Sequence, residues 1–449
     1  MDFTPQQAIL ELGDAFYDPV ASARFPQTIL RFRNDRAAAQ VGLAGLTDDE
    51  WIAHFGRFNP LKGSLQTPLA LRYHGHQFRV YNPEIGDGRG FLFTQMTDDK
   101  GRLMDLGTKG SGQTPYSRFG DGRLTLKGGV REILATEMLE ALNVPTSRTF
   151  SLIETGEELH RGDEPSPTRS SVLVRLNHGH IRIGTFQRLA HFRETEDMER
   201  LVAYVLRHYY GEEAGDDAPA RLLAYVCERT ATMAARFMAA GFVHGVLNSD
   251  NINVTGESFD YGPWRFAPFW EAGFTAAYFD HAGLYAFGRQ PEAIYWDAMQ
   301  LAISLRQIAD EEPLIAAMEG FAEAYQREVT SALLWRLGVN PRSTEADRIL
   351  TNVLEKALAE TLVPLDEFFF EAFGGNLPPH YGEAFDDLRG QLAFYQPRKS
   401  RDHAYWSGTP CSMLIDEVEA IWAAIAEADD WGPLHAKVAA IRHMAEALA

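Results

Sequence analysis

The chain has 449 residues, 45% apolar and 23% charged, with 62 acidic against 42 basic side chains and a formal net charge of −20. This is an ordinary globular composition, long enough for two or three domains or one bilobal unit, and too acidic overall to suggest neutralising a phosphate backbone, which sets nucleic acid aside as a partner. Two distant cysteines, Cys227 and Cys411, form neither a disulfide framework nor a zinc set, the opening MDFTPQQAILELGDAFYD lacks the basic start and apolar run of a signal peptide, and no apolar run reaches ~18 residues, so the expectation is a cytoplasmic protein with no membrane partner.

In chain order, residues 1–60 read as an N-terminal extension, 61–190 as a strand-rich lobe, and 191–449 as a helical lobe with a C-terminal extension. GRGFLFTQM at 88–96, TFSLIET at 149–155 and SSVLVRL at 170–176 are short β-branched and aromatic runs bounded by turn residues, so they are predicted strands. RGDEPSPTRS at 161–170 is predicted to be a surface loop between two of them. One helix interrupts the strands, 128–144, with Ile133, Leu134, Met138 and Leu142 on one face. A second helix, 219–241, carries Leu222, Val226, Met233 and Phe237 on one stripe and ends at Gly241, a C-cap residue. Further helices are predicted at 291–309, 313–337, 344–361 and 414–428. The outline is α+β, a strand-rich first lobe followed by a helical one.

The chemistry concentrates in HGVLNSDNINVTGESFDYGP, His244 to Pro263. A kinase catalytic loop runs His-Arg-Asp, four residues, Asn, and His244 to Asn251 keeps that interval. Val246 stands where the catalytic Asp belongs, and a carboxylate, Asp250, lies beside Asn251 instead. Asp260-Tyr261-Gly262 follows where a kinase has its metal-binding Asp-Phe-Gly. Asn251 and Asp260 are hard oxygen donors that suit Mg2+ held jointly with phosphates. The competing reading is a turn capped by short polar side chains.

Lys109 ends a strand-like approach among Gly107, Gly110 and Gly112, and Glu132 lies in the first turns of the lone N-lobe helix. A Lys–Glu pair between strand and helix would aim the lysine at phosphates; alone, each is equally a surface lysine and a glutamate favoured by the helix dipole. Two Gly-Asp-Gly turns, at 86–88 and 120–122, precede Arg89 and Arg123, and such turns either cradle phosphates or simply close hairpins. Arg175 and Arg182 flank another turn and suit a polyphosphate. His-Gly-His at 74–76 and 178–180 lacks a third ligand at metal spacing and is assigned to turn and core.

YHGHQFRVYNPEIGDGRG, DLGTKGSGQTPYSRFGDGR, REILATE, HIRIGTFQ, HGVLNSDN and DYGP occur in one order, and with AFGRQPEAIYWDAMQLA at 286–302 they resemble the selenoprotein O (SelO) family of kinase-fold protein adenylyltransferases over roughly residues 60–305. The resemblance implies a protein-kinase-like bilobal fold that binds ATP in a flipped orientation and transfers AMP to hydroxyl side chains of proteins, this chain itself among the candidate acceptors. It further implies Lys109 on phosphate and paired with Glu132; Gly86, Gly88, Arg89, Asp121 and Gly122 lining the nucleotide; Arg175 and Arg182 on the outer phosphates; Asp250 as general base; and Asn251 with Asp260 on Mg2+. With ATP reversed, the α-phosphorus faces the metal site and pyrophosphate becomes the leaving group.

Family members commonly end in a Cys- or selenocysteine-containing tail, whereas this chain ends IRHMAEALA, with Cys411 the nearest candidate. Cys227, in a predicted helix, is expected to pack. Competing functions are ordinary phosphotransfer, against which Val246 weighs; a catalytically silent ATP-binding pseudokinase scaffold, against which the intact set Lys109, Glu132, Asp250, Asn251 and Asp260 weighs; and UMP transfer with Mn2+, since no motif reads the base.

Overall fold

A computed structural model describes residues 2–162 and 164–449. Its strands, in chain order, are β1 (Pro5–Gln6), β2 (Tyr17–Pro19), β3 (Ile29–Arg33), β4 (Leu69–Leu71), β5 (Gly75–Gln77), β6 (Val80–Asn82), β7 (Leu92–Thr97), β8 (Leu103–Lys109), β9 (Leu124–Thr125), β10 (Arg148–Leu159), β11 (Thr168–Asn177), β12 (Phe242–His244) and β13 (Trp264–Phe266). Its α-helices are α1 (Asp35–Gln40), α2 (Asp48–Phe55), α3 (Leu126–Ala141), α4 (Ile183–Phe192), α5 (Thr195–Val205), α6 (Ala218–Ala240), α7 (Gln290–Leu305), α8 (Glu311–Leu337), α9 (Thr344–Glu360), α10 (Leu365–Ala372), α11 (Asp386–Leu392), α12 (Ile415–Ala428) and α13 (Gly432–Leu448).

The first lobe is built on one antiparallel sheet in the order β2-β4-β7-β8-β11-β10-β3, with β1 on β7 and β9 on β11. β8 is buried along its whole length and β11 along nearly all of it. Helix α3 covers one face and buries Val130, Ile133, Leu134 and Met138. The other face packs Phe93, Met104, Phe150 and Val174 under Trp51 and Phe55 of α2. Residues 1–60, expected as an extension, thus supply β1, β2, β3 and two helices to this lobe. The expected 161–170 loop is shorter than predicted: β11 already begins at Thr168, the residues before it connect β10 to β11, and Asp163 among them lies outside the described residues.

The second lobe is helical and centres on α6, which buries Leu222, Val226, Met233 and Phe237 and stops where Gly241 turns left-handed at φ 69°. Cys227 on this helix is buried beside Met318, and burial pushes its thiol up to about 12. The expected helices from 291 onward are α7, α8, α9 and α12, with ends moved by a few residues. Helices α4, α5, α10, α11 and α13 were not among the expected elements. No helix among the described residues is long and apolar enough to cross a membrane. The arrangement is the expected α+β, kinase-like one, a strand-rich lobe with a covering helix set on a helical lobe, and the 244–263 loop runs between β12 and β13 where the lobes meet.

Candidate active site

Register places the basic residues. In the β8–β11 pair, Lys109 stands opposite Leu173 and Arg175 opposite Gly107. Directly opposed residues share a face, so Lys109 and Arg175 emerge on the same side of the sheet. Gly107 makes room beneath Arg175: a Cβ there would sit 2.4 Å from His180 Nε2. Arg175 Nε donates to that nitrogen at 3.4 Å, and His180 Nδ1 faces Asp105 at 3.3 Å. Burial, foremost, keeps His180 neutral by lowering its pKa. The second His-Gly-His therefore props an arginine. In the first, His74 bonds the Tyr81 hydroxyl and His76 the Gln187 amide.

Lys109 is buried and lies 2.5 Å from Glu132 Oε1 on α3 and 2.7 Å from Asp260 Oδ1. Arg175 reaches the same Asp260 oxygen at 3.4 Å. Asp260 sits at φ 64°, a left-handed conformation uncommon outside glycine, asparagine and aspartate. Burial, the largest influence on it, would raise its pKa, yet Lys109, then Arg175, Arg182 and Arg89, hold the carboxyl well below the usual range. No hydrogen bond to Asp260 Oδ2 occurs among the described residues, which leaves that oxygen to a cation. Asn251 turns its Nδ2 to Val246 O at 3.0 Å, which leaves Oδ1 as a second hard donor. This set fits Mg2+.

Asp250 lies in the short turn Ser249–Asn251 and is 7% exposed. Its Oδ1 is buried with no hydrogen-bond partner among the described residues. Gly75 admits it, since a Cβ there would come within 2.9 Å of that oxygen. Desolvation by burial, only partly offset by Arg182, raises its pKa to about 6. Arg182 donates to the Asp250 carbonyl at 2.9 Å and to Asp87 Oδ1 at 3.2 Å. Its guanidinium stacks 4.3 Å from the Tyr73 ring and 4.7 Å from Phe259, and Arg175 stacks 4.9 Å from Phe259.

These groups line one cavity of about 590 Å3, within the range of small-molecule sites. Gly86, Gly88 and Arg89 form one wall and Asp121 and Gly122 another. The two walls are pinned together: Thr114 Oγ1 donates to Asp87 O at 2.5 Å and Ser117 Oγ to Gly88 O at 2.5 Å. Asp121 sits at the rim, paired with Arg161 at 2.8 Å, and Arg123 turns to Glu157 at 2.8 Å. The structure therefore gathers Gly86, Gly88, Arg89, Lys109, Asp121, Gly122, Arg175, Arg182, Asp250 and Asp260 around one space, with Glu132 behind Lys109 and Asn251 beside Asp250. Sequence reasoning passed over Asp87, Gln77, Tyr73 and Phe259, which also line or support it. For Asp87 a signal existed, its place inside the Gly-Asp-Gly turn; for Tyr73 and Phe259 only the fold reveals the stacking.

Comparison with known proteins identifies a family. The family model described as protein adenylyltransferase SelO matches residues 1–376. A protein nucleotidyltransferase YdiU from Synechocystis is 42% identical over 468 aligned positions, covering 97% of each chain. One from Gloeobacter violaceus is 44% identical, covering 98% of this chain and 95% of its own. One from Vibrio cholerae is 36% identical over 73% of this chain and 66% of its own. Among solved structures, ROP2 from Toxoplasma gondii, titled a virulence factor with a protein-kinase fold and no enzymatic activity, aligns over 63% of this chain and 89% of its own at 10% identity and a TM-score of 0.29; the family assignment rests on the sequence relatives.

Proposed function

The chain belongs to the protein adenylyltransferase SelO family, and we propose that it transfers AMP from ATP to a Ser, Thr or Tyr hydroxyl of a protein, releasing pyrophosphate. It is by family a protein nucleotidyltransferase; the nucleotide, the metal and the role of each residue are what we add. The observation that carries the reading is the meeting, in one nucleotide-sized cavity, of Arg89, Lys109, Arg175 and Arg182 with two carboxylates of opposite character, Asp250 and Asp260.

Asp250 accepts the proton of the attacking hydroxyl, a task suited to a carboxylate whose pKa stands near the working pH. The hydroxyl oxygen bonds to the α-phosphorus as the bond to the β-phosphate oxygen breaks. Lys109 holds phosphate, and Arg175 and Arg182 take up the negative charge that grows on the departing pyrophosphate, a preorganised electrostatic role. Glu132 orients Lys109. Gly86, Gly88, Arg89, Asp121 and Gly122 enclose the rest of the nucleotide. Asn251 and Asp260 would hold Mg2+, which when bound offsets charge on the phosphate oxygens. Attack at the α- rather than the γ-phosphorus is supported by the family, and Val246 in place of the kinase base fits it. Two buried, unpaired cysteines suit the reducing cytoplasm.

The test is label transfer to the protein itself and to a cell extract, using ATP labelled at either the α- or the γ-phosphorus, with Asp260→Ala as control. Covalent label from the α-position only, lost in the variant, is the expected result. Label from the γ-position only would make the protein a kinase. No label, together with an ATP-induced rise in Tm, would make it a scaffold.

A further inference from the structure

Glu132 can orient Lys109 only while α3 stays pressed toward β8. One face of α3 rests on β10 and β11 and the other is covered by the hairpin of α12 and α13 from the far end of the chain. The contacts are ionic and lie along the helix. Glu419 of α12 meets Lys127 at 2.6 Å and Arg131 at 3.7 Å. Arg442 of α13 binds Glu137 through two parallel bonds of 2.8 and 2.7 Å, and Glu137 is 4% exposed. Arg131, the neighbour of Glu132, also donates to Trp264 O at 3.0 Å and lies 4.8 Å from the Trp264 ring. Trp264 follows the Asp260-Tyr261-Gly262 turn directly after Pro263.

We propose that the α12–α13 hairpin is a brace that holds α3 where Glu132 meets Lys109, with Arg442 and Glu419 as positioning residues for nucleotide binding. Exposed ion pairs count for little, but Glu137 is buried, and without Arg442 it becomes a buried charge left, among the described residues, with the Asn34 amide at 3.4 Å and no cation. Losing that two-bond clamp also frees the outer face of α3 to shift outward from the sheet. That movement draws Glu132 off Lys109 and leaves the lysine to Asp260, turned away from an incoming phosphate. Lys109 binds the nucleotide in ground and transition states alike, so the loss appears in KM more than in kcat. The proposal rests on the reading of Lys109 as a phosphate ligand.

The experiment compares the full chain with Arg442→Ala, Arg442→Glu, Glu419→Gln and the double exchange Arg442→Glu/Glu137→Arg, measuring KM for ATP, kcat, Tm and hydrogen exchange of the 126–141 amides. For Arg442→Ala the expectation is a ~10-fold rise in KM with kcat within ~2-fold, and faster exchange along α3. Arg442→Glu is worse, the double exchange recovers to within ~3-fold of the starting KM, and Glu419→Gln moves the same way by less. A lowered Tm with unchanged KM and unchanged α3 exchange in Arg442→Ala would make the hairpin a stabilising cover only and overturn the proposal. If the unaltered protein transfers no α-label, the functional reading has failed; the α3 exchange comparison needs no turnover and still decides the brace.

Discussion

Asp250 and Asp260 stand ten residues apart on one loop, in opposite surroundings. Asp260 faces Lys109 at 2.7 Å and Arg175 at 3.4 Å, and these cations keep it ionised against the pull of burial. Asp250 is buried with an unpartnered oxygen, and burial raises it to about 6. In the proposed reaction, two carboxylates whose environments push their pKa values apart divide the labour. One is fixed as a charge that can hold a metal and order cations. The other exchanges a proton near neutrality. The same loop builds both because Gly75 and the short 249–251 turn seat Asp250 in a buried recess at the cavity, while a left-handed backbone at Asp260 swings its carboxylate to the sheet lobe.

The sharpest way to break that contrast is to remove the base. Asp250→Asn keeps shape and removes proton acceptance, and transfer should fall by ~10^2–10^4-fold while ATP still raises Tm. A variant that retains transfer would take Asp250 out of the base role. Next comes the cation that Glu132 and Asp260 share. Lys109→Met should lower kcat/KM by ~10^2-fold, and Lys109→Arg should not restore it, because a forked guanidinium does not fit a point between two carboxylates. Smaller again is the dependence on pH. Asp250 must be ionised to act, so kcat/KM should decline ~10-fold per pH unit below about 6. A profile flat from about pH 5 to about pH 8 would contradict the assignment.

Much of this contrast was legible in the chain. The interval from His244 to Asn251, the displaced carboxylate at Asp250 and the Asp-Tyr-Gly at 260–262 are local features of one loop, so spacing reveals them. Lys109 and Glu132 were legible as residue types on a strand end and a helix start, but their 2.5 Å contact needed the packing of α3 on the sheet. The electrical difference between the two aspartates was not legible, because it comes from burial at Asp250 and from Lys109 and Arg175 beside Asp260, which only the fold brings together. The part played by residues 1–60 was hidden for another reason. Strands such as Pro5–Gln6 and Tyr17–Pro19 are too short to carry a period, and Pro5 pairs with Met96 across a long separation. Helix α13 went unread although Pro433 at its start and the spacing of Leu434, Val438 and Ile441 announce it.

Stability gives the last contrast, with opposite signs at the two positions. Asp260 binds its proton less readily folded than unfolded, so the stability it contributes is present above 3.8 and is lost as pH falls through its lowered folded pKa. Asp260→Asn strands Lys109 and Arg175 beside a neutral group and should lower Tm at neutral pH. Asp250 binds its proton more readily folded than unfolded. Its favourable contribution is present below 3.8 and is lost as pH rises through about 6. At pH ~8 the fold therefore carries a buried carboxylate it would rather protonate, and Asp250→Asn, which resembles the protonated form, should be the more stable protein by up to ~3 kcal/mol. The gain should shrink toward zero as both proteins are melted at pH values approaching 3.8. Thermal melts of the two proteins across that range decide it. A variant that melts below the parent at pH ~8 would mean that Asp250 is held by attractive contacts rather than tolerated for its chemistry, and the division of labour between the two aspartates would lose its physical basis.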